Sequence, residues 1–407
     1  MIDELINKQC PAGVEYKELG EVAKILNGYS FKSGKYVKEG IRVIRISDVQ
    51  KGKMSNKDLK FYPSEMMNEI RNYLLNEGDL VMSLTGNAGR VAMLSNEHLP
   101  AGLNQRVACI RSKTSKVLTR FLFYLFDQDK FEIEAMTNAT GGGQKNLSTT
   151  WLSKYAIPIP PLEVQVEIVK TLDLFTELEA ELEAELEARR LQYKHYRDSL
   201  FRHEGKDVEW KTMGELGEFT RGKRFVKTDI VKEGAPCIHY GEMYTHYKIW
   251  AKEAKSFLNP ELAVKLRVAK KGDVIIVAAG ETIEDIGLGV AWHGAEDVVI
   301  HDACFSFSHS MYPNYVAHYT QTELFHSQIK RYISSGKISS INAAGLSKAI
   351  IPVPPMEKQI RIASILDKFH DLINDISIGI PGEIEGRRKQ YEFYRNRLLT
   401  FKELANG

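Results

Sequence analysis

A chain of 407 residues is long enough for two to four domains, each burying its own core. Hydrophobic residues make up 43% and charged residues 27%, a balance that excludes a disordered or fibrous chain. The net charge of +2 hides an uneven distribution: residues 163–187 carry nine acids and one lysine, a net of −8, which leaves +10 elsewhere. A basic body split by an acidic segment is compatible with polyanion binding.

No run approaches about 18 apolar residues, and MIDELINKQCPAG lacks the basic and apolar stretches of a signal peptide. We therefore expect a cytoplasmic protein with no membrane partner. Cys10, Cys109, Cys237 and Cys304 are far apart and show no CxxC spacing, which fits free thiols better than a disulfide framework or a zinc knuckle.

In chain order, residues 14–155 show short apolar runs rich in β-branched residues (IRVIRI, GDLVMSL, RVACI) and one helical stretch, LTRFLFYLF. The strap IPIPP follows, where each residue before a proline is driven to an extended conformation. From Leu162 to Phe201 apolar residues recur at helical spacing without proline or glycine. This predicts one helix of about 40 residues and about 60 Å.

The pattern then repeats. Residues 208–349 contain GDVIIVAAG, DVVIHDACFSF and a helical stretch at 316–333, followed by IPVPP and a second helix from about Met356. Gly379, Pro381 and Gly382 are expected to break that helix before it resumes at about Glu383. The apolar stripes of the two helices would be solvated, partner-exposed, or paired as an antiparallel coiled coil. The last is favoured because each stripe needs cover.

The repeat has a period of 194 residues. LSKYAIPIPPLEVQVEIVKTLDLF (152–175) and LSKAIIPVPPMEKQIRIASILDKF (346–369) share 13 of 24 positions, and VEYKELGEV (14–22) aligns with VEWKTMGEL (208–216). At the helix ends the offset becomes 198, through Arg189/Arg387, Tyr193/Tyr391, Tyr196/Tyr394 and Arg197/Arg395. The expected fold is α+β: two pseudo-two-fold related domains (1–155 and 205–349) joined by strap-and-helix segments (156–204 and 350–407). Because the last helical segment corresponds to the one preceding the second domain, the chain should return near residue 14.

A variable domain, a PIPP strap and a long helix, duplicated over nearly the whole chain, resemble the specificity subunit of type I restriction-modification enzymes. LTGNAGRVAM (84–93), LNQRVACI (103–110) and GGGQKNLS (141–148) are similar to that family's frame motifs. The resemblance implies a non-catalytic chain in which each target-recognition domain reads half of a bipartite double-stranded DNA site. The helices would set the spacing and dock two modification subunits, with restriction subunits joining them. S-adenosylmethionine, ATP and magnesium would belong to those partners, and adenine methyltransferase and ATP-dependent endonuclease activity to the assembly. The second copy departs from the frame, with AAGETIEDIGLGVAWHG at 278–294 and SSGKISSIN at 334–342. Two rivals differ in class: a scaffold or regulatory DNA-binding protein, and an autonomous nuclease or methyltransferase. The autonomous enzyme lacks its motifs, since no methyltransferase Asn/Asp-Pro-Pro-aromatic signature and no P-loop occur.

Candidate DNA contacts are residues able to neutralise phosphates or to read base edges. In the first domain these are Arg45, Lys51, Lys53, Arg90, Asn104, Gln105, Arg106 and Lys145. In the second they are Arg221, Lys223, Arg224, Lys227, His239, Tyr240, His246, Lys248 and Lys337. GEFTRGKR (217–224) has the skeleton of a P-loop, but Arg224 stands where a hydroxyl is required. The histidines show no recurring metal-ligand spacing, and no metal is expected. His301-Asp302 corresponds to Asn104-Gln105 in the first copy, which points to recognition or structure rather than catalysis.

Overall fold

The computed structural model describes residues 2–141, 145–202, 208–336, 338–375, 377 and 379–404. It contains two compact units: residues 1–181 with 385–407, and residues 182–384. The helix Leu162–Phe201 is continuous over 40 residues, as its unbroken spacing predicts.

In the first unit, the strands Ala23–Asn27, Val107–Ser112, Leu80–Ser83 and Val91–Met93 form an antiparallel sheet in that order. A second sheet orders Phe61–Tyr62, Ile41–Ile44, Ala101–Leu103 and Leu74–Leu75, with its middle pair parallel. Leu80–Ser83 is buried at every position because both of its faces are covered. The helix Thr119–Phe126 supplies six consecutive buried residues, Phe121 to Phe126. Such an all-round apolar helix has to lie inside a core.

The second unit repeats this frame. Gly217–Arg221, Cys304–His309, Val274–Val277 and Gly289–Trp292 form the equivalent sheet, extended by Trp250–Ala251. Each strap forms a two-stranded ribbon with the strand entering its domain. Glu15 pairs with Ile159 and Glu209 with Val353, so the register repeats at the 194-residue period.

Two sequence expectations need correction. The stretch 316–333 is two helices, Pro313–Tyr319 and Glu323–Ile329, followed by a 3-10 turn at Lys330–Tyr332. Thr322 separates the helices because its side-chain oxygen accepts from the Phe325 N–H at 3.2 Å and caps the second one. The last helix begins at Ile380, before Glu383. Pro381 sits in its first turn, where the N–H that proline lacks would have no helical partner anyway.

The long helices pair antiparallel within each unit. In the first, the ring of Phe175 stacks on Tyr394 at 5.4 Å while Glu179 pairs with Arg388. In the second, Phe369 stacks on Tyr193 at 5.9 Å and lies 6.3 Å from Tyr196. Each unit thus pairs the early part of one copy's helix with the late part of the other's. The chain also returns as expected: the Val14 N–H donates to the Lys402 carbonyl at 2.8 Å, and the Leu404 N–H donates to the Val14 carbonyl at 3.0 Å.

Candidate nucleic-acid interface

Where the chain crosses between the two sheets of each unit, polar side chains collect at the ends of strands. In the second unit they line a cavity of about 530 Å³ that includes Arg221, Arg224, Lys227, His239 and Tyr240. Five of the nine second-domain candidates are therefore brought together. His301 and Phe225 complete the wall. The rings of His239 and His301 lie 4.8 Å apart, and Phe225 meets His301 edge-on at 5.1 Å.

Both imidazoles are held neutral. Burial lowers the pKa of His239, helped by His301 and by Lys227 and opposed by Glu242. Burial also lowers that of His301, and the Asp302 carboxylate, 3.0 Å from its Nδ1, opposes the shift without reversing it. A neutral imidazole both donates and accepts, which suits the reading of a base edge. Arg224 and Lys227 are exposed and make no ion pair among the described residues, so their charge is available to phosphates. Arg221 donates from Nε to the Asp302 carbonyl at 2.9 Å, and Lys223 from Nζ to the Lys265 carbonyl at 2.9 Å.

His246 and Lys248 lie elsewhere. They line a separate cavity of about 460 Å³ with Trp250, Asp367, His370 and Asp371. Lys337 falls outside the described residues. GEFTRGKR begins on a strand hydrogen-bonded to Cys304–His309 and is not a phosphate loop. No group of three or more His, Cys, Asp or Glu is placed to hold a metal among the described residues.

In the first unit, Thr85 bridges Asn146, which sets the GNAGR loop beside Lys145. Asn104, Gln105 and Arg106 follow the strand Ala101–Leu103 and adjoin Tyr29. Gln105, Arg106, Lys53 and Lys145 are exposed. Three further cations are engaged with carboxylates. Arg45 pairs with Asp48 and Asp58, Lys51 with Asp129 and Glu132, and Arg90 donates to Glu132 at 2.9 Å. To contact a phosphate, these three would have to exchange a carboxylate for it.

Sequence reasoning missed Phe225, Tyr29 and the place of His301 in the ring cluster. The signal that could have found them is the pair of equivalent glycines, Gly28 and Gly222. A Cβ at either would collide with the backbone of Asn104 or His301 respectively, which marks where the chain crosses itself.

Comparison with known proteins agrees with this architecture. A Haemophilus influenzae protein assigned as a type I restriction enzyme specificity subunit is 29% identical over 410 residues, covering 95% of this chain and 96% of its own. An Escherichia coli type I restriction enzyme specificity subunit is 33% identical over 266 residues, covering 62% of this chain and 65% of its own. A solved structure concerned with complex assembly and conformational transition of the type I restriction-modification system has the same fold. Its TM-score is 0.63 at 16% identity, covering 96% of this chain and 98% of that one. The S subunit from M. genitalium aligns with a TM-score of 0.52 at 13% identity, covering 95% and 96%. The family described as type I restriction modification DNA specificity domain matches twice, over residues 11–188 and 205–386, and the chain belongs to that family.

Proposed function

We propose that this chain is the non-catalytic specificity subunit of a type I restriction-modification complex and that its two recognition domains, 1–155 and 205–349, each read half of a bipartite, asymmetric site in double-stranded DNA. The observation that carries this is a repeated strand frame whose residues at and just beyond the strand ends differ. Asn27, Tyr29, Ser30 and Arg45 in one copy stand where Arg221, Lys223, Arg224 and His239 stand in the other. One scaffold with two reading surfaces calls for two unrelated half-sequences, whereas a homodimer calls for a palindrome. The candidates named above would supply the contacts, cations to phosphates and His239, Tyr240, Asn104 and Gln105 to bases.

The segments 156–204 and 350–407 would set the half-site spacing and dock two modification subunits. Exposed apolar pairs support a partner present twice: Leu162 and Val166 recur 194 residues on as Met356 and Ile360, all between 42% and 45% exposed. Restriction subunits would complete the complex in the cytoplasm. S-adenosylmethionine, ATP and magnesium would serve chemistry in those partners.

The test is co-expression with modification subunits and mapping of methylated sites by single-molecule sequencing. A bipartite motif is expected, with one half replaced when residues 208–349 are exchanged for those of another specificity chain. A stable chain that recruits no methyltransferase and leaves DNA unmethylated would overturn the reading in favour of a scaffold or regulator.

A further inference from the structure

The two sheet crossings superpose in chemistry as well as in path. The strand Ala101–Leu103 of the first unit corresponds to Val298–Ile300 of the second. The Tyr29 N–H donates to the Leu103 carbonyl at 2.7 Å, and Lys223, its counterpart, donates to the Ile300 carbonyl at 3.3 Å. The glycines Gly28 and Gly222 pack against the residue that follows, Asn104 in one unit and His301 in the other.

These two residues are held alike. The Asn104 Oδ1 accepts from the Arg106 N–H at 3.1 Å, and the His301 Nδ1 accepts from the Ala303 N–H at 3.1 Å. In each case the side chain caps the backbone two residues on, which fixes its rotamer before any ligand arrives. Both are half-buried at the edge of the reading surface. An amide and an imidazole, however, present different hydrogen-bonding edges. We infer that Asn104 and His301 are the paired specificity-determining positions of this chain, each fixing the identity of one base pair in its own half-site.

The inference rests on the proposed function. It goes further by assigning the choice of base to one equivalent position per domain, out of the many polar residues nearby. A pre-oriented side chain on a glycine-packed crossing discriminates better than a flexible surface lysine, because its geometry is set before binding. Asn favours adenine through N6 and N7, whereas His301 works among aromatic rings and beside the Arg224 guanidinium. The same point of the scaffold thus selects different bases in the two halves.

The test uses the assembled complex with the substitutions His301→Asn and Asn104→His, each made alone. Asn keeps an acceptor for the Ala303 N–H, so the crossing retains its cap. With methylation mapped genome-wide, His301→Asn is expected to lose at least tenfold discrimination at one position of the second half-site and to leave the first half-site unchanged. Asn104→His should do the reverse, and each unaltered half reports intact folding and assembly. A wild-type complex that methylates a bipartite motif, with variants that keep the same motif, overturns the inference while sparing the proposed function. A wild-type complex with no motif overturns the function itself. Photocrosslinking of the wild-type complex to DNA carrying iodinated pyrimidines needs no substitution. Crosslinked peptides are expected to include residues 103–106 and 300–303, and crosslinks confined to other segments would overturn the assignment.

Discussion

The duplicated Gln165 and Gln359 show why certain residues repeat. Gln165 is fully buried, where its amide donates to the Lys116 and Pro160 carbonyls and accepts from the Leu118 N–H. Gln359 does the same, accepting from the Tyr312 N–H at 2.9 Å and donating to the Pro354 carbonyl at 2.8 Å. Each ties the end of a strap to the helix that follows the sheets. Replacing either by Leu strands buried backbone groups, each costing about 1–3 kcal/mol. Urea unfolding of Gln165→Leu should show a loss of at least about 2 kcal/mol, and an unchanged midpoint would refute the role. The repeated Gln is visible in the sequence, but its partners Lys116, Leu118 and Tyr312 are not, because they lie 47 to 49 residues away along the chain. Sequence separation likewise hid the acids that hold Lys51 and Arg90, since Asp129 and Glu132 lie 78 and 42 residues away on a helix.

At the level of elements, the long helix was legible because nothing in 40 residues interrupts its spacing, whereas the short helices were not. Thr322 ends one apolar period and caps the next, so a pattern read across it merges two helices into one. The run ELEAELEAELEA lies within the long helix at 177–188. Adding one ELEA unit lengthens it by about 6 Å, one to two base-pair rises of about 3.4 Å. The insertion variant should methylate a motif with a longer nonspecific spacer and unchanged half-sites. A spacer of unaltered length would sink that expectation. Gly222→Val should impair the second domain, because the added side chain meets the His301 backbone, which cannot retreat as a flexible side chain could. Loss of second-half discrimination in competition binding would be the readout, and wild-type discrimination would count against a tight crossing.

Across the molecule, duplication of the frame was read correctly from sequence while the chemistry of the copies diverged. Among the described residues the first unit has His98 alone, whereas the second holds nine histidines: His195, His239, His246, His293, His301, His309, His318, His326 and His370. Burial pushes His309 and His370 down to about 4. The folded unit therefore favours neutral imidazoles, while the unfolded chain takes up protons near pH 6.5. Stability from these groups is fully present above about pH 6.5 and is lost as pH falls towards about 4, on the order of 3 kcal/mol for each. Three of the four tryptophans, Trp210, Trp250 and Trp292, lie in this unit, so tryptophan fluorescence mainly follows its unfolding. The urea midpoint should drop between about pH 7 and about pH 4.5, and a midpoint that does not move would contradict the burial of both rings.

The return of residues 402–404 to Val14 has a consequence for how the protein is made. Synthesis begins with the first unit, yet that unit needs residues 385–404 to cover Phe175 and to pair Val14. All of the second unit lies between residues 182 and 384, so it can close on the ribosome while the first still waits. The half translated first is thus the half completed last, and a chain truncated after residue 384 would carry one complete unit beside one left open.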